Sequence, residues 1–318
     1  MRSYPTALAI VLLAWAPIHS SPQDTGPAPR AARDIGHSPL QPGSLAAALR
    51  QRIAATPGAE VGLWFHDLAT GTTLGIGDTV SFHAASTMKV PVMFELFRRA
   101  DAGALSLDDR IPLGNRFASI VDGSPYALSP SDDSDGALYA RVGAPISLRE
   151  LNERMIVRSS NLATNVLIER LDPTRVTSLA RTLGGEGVIV RRGVEDGVAF
   201  RAGRNNTTTA RGLGKLLVAL ERGEVASAWA TIAMRETLMR QEFNDEIPAG
   251  LPPGTRVAHK TGWITATTHD AAIVYPPGHA PFVLVILTRA IPERRDAQRL
   301  MADLARIVWD DVSRSSAR

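Results

Sequence analysis

The 318 residues include no cysteine. That absence excludes disulfides, thiolate metal sites and a cysteine-linked lipid anchor, so core packing alone must hold the fold. Runs of one charge sign are missing too. The 35 basic and 32 acidic residues leave a formal net charge of +3, and without a basic block there is no sign of a nucleic-acid groove. The apolar run from Ala7 to Pro17 is too short to cross a bilayer. Lysine is scarce: only Lys89, Lys215 and Lys260 occur in a chain rich in arginine. A lysine kept against such a bias points to what arginine cannot do, which is to lose its proton near neutral pH.

What is present is ordinary in bulk. A hydrophobic content of 44% and a charged content of 21% suit a globular chain with one or two sizeable cores. Arg2, the run Ala7 to Pro17, and then His19, Ser20 and Ser21 have the layout of a secretory signal. We expect residues 1–20 to be removed on export, with a periplasmic or secreted product. Pro22, Pro27, Pro29, Pro39 and Pro42 make residues 21–43 a flexible tether.

From Ser44, a possible helix cap, Leu45, Leu49 and Ile53 recur at helical spacing, and a β-rich hairpin follows from Glu60. Near the other end TRVAHKTG, DAAIVYPPG and FVLVILTRA read as strands, and Glu293 to Val312 as a helix. The segments between are mainly helical: VPVMFELFRRADAG, SLRELNERMIVRSSNLATNVLIERL, TRVTSLARTLG and TTTARGLGKLLVALERG. The expected architecture is α/β plus all-α, an antiparallel sheet flanked by terminal helices with an inserted helical domain. Residues 44–81 and 243–318 would form the α/β domain and residues 82–242 the all-α domain.

Three short motifs carry chemistry. In Ser86-Thr87-Met88-Lys89, serine and lysine share one face at a helix start, where free N–H groups and the helix dipole favour an attacking oxygen and an oxyanion. Lys89 can take the Ser86 proton if burial and nearby positive charge depress its pKa. In Ser159-Ser160-Asn161, Ser159 can relay a proton to a leaving nitrogen and Asn161 can hold a substrate amide carbonyl. In Lys260-Thr261-Gly262-Trp263, Lys260 supplies charge and the Thr261 hydroxyl can bind a carboxylate. Gly262 clears the approach to the serine, and the Trp263 N–H is a second oxyanion donor. Each motif alone is more often a helix cap, a helix interruption or a strand end.

In this order the three resemble the set of class A β-lactamases and penicillin-binding proteins. The resemblance runs from about Ser44 to the C-terminus. The stretch Phe82 to Lys89 resembles the start of that family's catalytic helix, SSNLATNVLI its segment SDNxAxNxLL, and Asn206-Thr207-Thr208-Thr209 the end of its omega loop. The resemblance implies a serine β-lactamase acylated on Ser86, with an α/β domain, an all-α domain and a cleft between them.

Three positions depart from the pattern. Ser160 replaces the motif's aspartate, while Asn206 and Ala210 stand where the omega loop has aspartate and proline, so its usual ion pair is not expected. The family's Glu-x-x-Leu-Asn pattern is absent, which leaves Glu195 as candidate deacylation base, Asp196 as a weaker one, and a loop carboxylate paired with Arg191 or Arg192 as the plainer reading. His83, His259 and His269 have no metal-ligand spacing. Ser124 to Gly136 reads as a solvated loop near the cleft.

We expect no cofactor or metal, a small β-lactam as partner, no nucleic acid, no stable membrane anchor, and a monomer. The competing functions are a D-alanyl peptide hydrolase or slow penicillin-binding protein, and a non-catalytic binding module of the same fold. Mass measurement of exported protein should show roughly the first 20 residues removed; an intact N-terminus would contradict the signal reading.

Overall fold

The computed structural model describes residues 45–316, so the expectations for residues 1–43 and for Ser44 as a cap lie outside it. Helix α1 (Leu45–Ala54) precedes the hairpin β1 (Glu60–Asp67) and β2 (Thr73–Ile76). Strand β3 (Phe82–His83) and a 3-10 turn, Ala85–Met88, run into α2 (Lys89–Asp101). Two short ladders follow: β4 (Arg110–Pro112) pairs with β7 (Pro145–Ser147), and β5 (Phe117–Ala118) with β6 (Pro125–Tyr126). Helices α3 (Leu148–Val157), α4 (Asn161–Leu171), α5 (Pro173–Thr182) and α6 (Gly197–Arg201) come next. After β8 (Thr207–Thr208) the chain forms α7 (Ala210–Glu221) and α8 (Ala228–Met239). It finishes with β9 (Arg256–Ile264), β10 (Thr267–Tyr275), β11 (Phe282–Arg289) and α9 (Arg294–Ser316).

The five-stranded sheet has the order β2-β1-β11-β10-β9 with antiparallel pairs throughout. Its central strand explains why FVLVILTR is apolar without a break. Val283, Val285 and Leu287 join the core on the helical side, while Phe282, Leu284 and Ile286 join the core that includes Leu49, Leu300, Leu304 and Val308 of α1 and α9. A strand covered on both faces has no polar side to display. Helix α7 lies close enough to the sheet that a Cβ on Gly214 would overlap the Trp64 ring at 2.1 Å. Only glycine permits that approach.

Two helices on this side are buried all round. Every residue from Lys89 to Phe97 in α2 and from Leu162 to Ile168 in α4 is buried. Such helices belong to an interior, and here they bring chemistry with them, since α2 starts at Lys89 and α4 at Asn161. Truncating Phe94, which is wholly buried, would cost about 3–5 kcal/mol.

The antiparallel sheet, its terminal helices and the intervening helices match the expected fold class. Details differ. The ladder of β10 begins at Thr267 rather than Asp270, because Thr267, Thr268 and His269 pair on both sides with β9 and β11. Helix α8 was not anticipated. It leaves Trp229 and Ile232 about half exposed while burying Ala230, Met234 and Leu238, so its apolar residues trace no clean stripe. Among the described residues no helix is long and apolar enough to cross a membrane.

His269 of β10 is wholly enclosed, with Nε2 2.8 Å from the carbonyl of His83. Burial pushes its pKa down to about 4, against the pull of the His83 and Thr268 carbonyls. The unfolded chain therefore takes up this proton first, and stability falls as pH drops from about 6.5 towards 4. The linked loss is about 3 kcal/mol. Urea midpoints against pH should show this decline in the wild type and a flatter curve in His269→Gln; parallel curves would exclude His269 as its source.

Candidate active site

The segment before Ser86 is latched from two directions. Phe82 and His83 pair with Thr208 and Thr207, and the Ala84 N–H donates to the Asn206 carbonyl at 2.9 Å. The Ala85 N–H donates to His83 Nδ1 at 3.1 Å, and Ala85 itself sits at φ +45°. These bonds turn the chain so that half-buried Ser86 faces a cavity of about 390 Å³, whose walls include Asn161, Glu195, Phe200 and Trp263. Ser86 lies in the 3-10 turn rather than in α2 proper, one turn ahead of Lys89.

Lys89 and Lys260 are both fully buried and share a hydroxyl. Lys89 Nζ donates to the Ser159 carbonyl at 2.5 Å, Ser159 Oγ at 3.2 Å and Asn161 Oδ1 at 3.0 Å. Lys260 Nζ donates to the same Ser159 Oγ at 3.0 Å and to the Thr261 carbonyl at 2.9 Å. Ser159 takes φ +58° between α3 and α4, a backbone strain common at functional turns. Burial pushes Lys89 down to about 7, partly offset by the Asp133 and Glu195 carboxylates. Burial and the neighbouring Lys89 push Lys260 well below the usual lysine value. Enclosing two amines beside one oxygen is how a protein makes an ammonium group surrender its proton near neutral pH.

The edge strand β9 closes the site. A Cβ on Gly262 would lie 2.7 Å from the Ser86 nitrogen and 3.0 Å from that of Thr87. Gly262 therefore lets β9 lie flush against the turn that bears Ser86. The Trp263 ring packs edge-on against Phe243, with the Arg294 guanidinium 3.8 Å above it. The Thr261 hydroxyl is enclosed and has no hydrogen-bond partner, so it is a donor that a ligand reaches only when the wall yields.

The loop from Arg191 to Asn206 is held without an ion pair at its neck. Asn206 Oδ1 accepts from the Arg191 and Arg192 N–H groups at 2.8 and 3.2 Å, and its Nδ2 donates to the Arg192 carbonyl at 3.0 Å. The buried Arg192 guanidinium donates to the Arg204 and Gly193 carbonyls and to Asn205 Oδ1. Amides and carbonyls thus stand in for the carboxylate of the family pattern, and the ion pair is absent here as expected. Thr209 caps α7 ahead of Ala210 by accepting from the Gly212 N–H at 3.0 Å.

Glu195 is exposed on the cavity wall at φ +60°, with Oε1 3.5 Å from Asn161 Nδ2. Its neighbours Arg191 and Arg192 direct their donors to loop carbonyls and Asn205. Asp196 is occupied otherwise. Burial works against its charge, yet donation from the Ala199 and Ile120 N–H groups holds its carboxyl below the usual range.

Two supporting residues escaped sequence reading. Asn165 brackets Val194, accepting from its N–H at 2.7 Å and donating to its carbonyl at 3.0 Å. Asp133, in the stretch read as a solvated loop, is instead buried and accepts the Leu162 N–H of α4 at 2.8 Å. Asn165 stands within the SSNLATN segment, which was a usable signal. Asp133 had none, since one carboxylate in SPSDDSDG looks like the others.

Fold and site together define a serine hydrolase of the penicillin-recognising type, with Ser86 on the cavity wall and two buried lysines sharing the Ser159 hydroxyl. The model of the beta-lactamase enzyme family matches residues 44–312. A β-lactamase of Rhodobacter capsulatus is 31% identical over 243 residues, 73% of this chain and 76% of that one. A β-lactamase of Streptomyces fradiae is 27% identical over 81% of this chain and 83% of its own. Among solved structures, an ancestral class A β-lactamase superposes with a TM-score of 0.73 at 27% identity, over 84% of this chain and all of that one. The structure of PBP-A gives 0.73 at 25% identity, over 85% and 96%. The chain belongs to the beta-lactamase enzyme family, and its likenesses lie with the class A serine enzymes.

Gly262→Ala would push β9 off the Ser86 turn, because backbone atoms rather than a flexible side-chain end occupy the space a Cβ needs. Overpacking of this kind costs about 1–3 kcal/mol, and acylation by nitrocefin should slow by about 5- to 150-fold if that cost falls on the transition state. An unchanged acylation rate would show that the approach is not tight.

Proposed function

We propose that this protein is a serine β-lactamase that opens the lactam amide through an acyl-enzyme on Ser86. The observation that carries the reading is the Ser159 hydroxyl held between two buried lysine nitrogens, one of them on Lys89, three residues after Ser86. Lys89 takes the Ser86 proton as Oγ attacks the lactam carbonyl carbon. The Ser86 and Trp263 N–H groups receive the developing oxyanion. As the C–N bond breaks, Ser159 passes a proton to the departing nitrogen and draws one from the lysine side. Asn161 orients the substrate's side-chain amide, while Lys260 and Thr261 hydrogen-bond its carboxylate once the wall yields. Glu195 then activates a water that hydrolyses the ester and returns the proton to Ser86. Export to the periplasm or medium and action as a monomer belong to the same proposal.

A second reading has its own support. Glu195 is exposed and its contact to Asn161 is long, as in an enzyme that acylates readily but releases its product slowly. The PBP-A fold has also been seen as an acyl-enzyme complex with penicillin G in a variant of that protein.

A mass-spectrometric time course with benzylpenicillin separates the readings. The wild type should gain and lose the acyl mass, Ser86→Ala should never gain it, and Glu195→Gln should keep it, with deacylation slowed by about 10²- to 10⁴-fold. Acylation should weaken as pH falls below about 7, where Lys89 becomes protonated. Labelled Ser86→Ala would remove the nucleophile assignment, and wild-type turnover in Glu195→Gln would remove the base.

A further inference from the structure

The turn that presents Ser159 and Asn161 to Lys89 depends on a carboxylate from elsewhere in the chain. Asp133 lies just after a short 3-10 turn, Pro130–Asp132, and is buried at 9% exposure. Its Oδ2 accepts the Leu162 N–H at 2.8 Å, the Tyr139 hydroxyl at 3.0 Å and the Ser160 hydroxyl at 3.4 Å. Its Oδ1 accepts the Asp135 N–H at 3.0 Å. The loop is bound independently to the end of α3. The buried Asp135 pairs with Arg154 at 2.8 Å and Arg158 at 3.5 Å, and the Ser134 hydroxyl donates to the Arg158 carbonyl at 2.6 Å.

The placement matters because Ser160 is too short to do this work. Its Oγ reaches the Ala163 N–H at 3.3 Å as an ordinary helix cap. It carries no charge to set against the α4 N-terminus or the buried ammonium of Lys89. The charged groups that act on Lys89 are Asp133 and Glu195, with Lys260 facing it across Ser159.

We propose that Asp133 is a positioning residue for acyl transfer: from the 130–136 loop it supplies the carboxylate that position 160 lacks, locking the 159–161 turn so that Ser159 and Asn161 face Lys89. The inference rests on the acyl-transfer reading above. A carboxylate at a helix start accepts free N–H groups and meets the positive end of the dipole, and charge-assisted bonds of this kind are the stronger ones. Position 160 is the cap residue of α4, so an aspartate there can reach the same N–H groups. The carboxylate is therefore relocatable.

Four proteins test this: wild type, Asp133→Asn, Ser160→Asp and the double variant. Asp133→Asn should slow acylation by benzylpenicillin by about tenfold. It should also move the acid limb of the acylation profile to lower pH, because Lys89 loses a neighbouring negative charge. The double variant should recover most of the rate and the limb. Ser160→Asp alone should be impaired, having two carboxylates in one buried pocket. An unmoved limb in Asp133→Asn, or a double variant no better than Asp133→Asn, would overturn the proposal. Thermal melting of the same four proteins needs no substrate: recovery in the double variant supports relocation, and additive losses overturn it. A wild type never labelled by penicillin would sink the acyl-transfer reading while melting still decides this one.

Discussion

One oxygen between two buried amines sets the terms for the rest of the molecule. Ser159 Oγ receives Lys89 from the start of α2 and Lys260 from β9, so it joins the helical part of the chain to the sheet. Burying lysine is costly unless its protons find acceptors or it gives one up. Here both happen. The acceptors come from a strained turn between two interior helices, and burial draws Lys89 down to about 7. This fits the enclosure of α2 from Lys89 to Phe97 and of α4 from Leu162 to Ile168. Were either helix at the surface, water would restore the ordinary proton affinity of the lysine.

The surrounding loops show how charge has been redistributed without changing the architecture. The neck of the 191–206 loop uses amide pairing from Asn206 in place of a salt bridge, and Arg192 spends its donors on carbonyls. Removing one partner of a buried ion pair leaves an uncompensated charge, whereas replacing the pairing chemistry as a whole is far less damaging. The arginine stays compensated because several oxygens converge on it. Asn165, two turns before the end of α4, fixes the peptide groups of Val194 and so determines where the next residue, Glu195, begins. Position along this loop is thus set by backbone bonding, while the direction of Glu195 follows from its positive φ.

Much was readable in advance because it is local. An unbroken apolar strand such as β11 and the apolar spacing of α9 are patterns of a few residues each. The short motifs are local too: Ser86 and Asn161 line one cavity, and hydrogen bonds join Lys89, Ser159, Asn161 and Lys260. Failures had a different character. Helix α8 exposes Trp229 and Ile232, so its face is hidden in the sequence. Asp133 was read as solvated because nothing beside it in the chain records that α3 and α4 will close over it.

By itself the sequence determined which chemical groups exist: a serine and a lysine one turn apart, two of only three lysines in motifs, and no thiol anywhere. It also determined which segments alternate or repeat in apolar character, and hence where strands and helices form. Only the tertiary structure decided what those groups can do. The proton affinity of Lys89 and Lys260, the sharing of Ser159 Oγ and the burial of Asp133 depend on residues remote in sequence that exclude water together. Desolvation belongs to a group's surroundings and not to the group, so no local pattern can encode it.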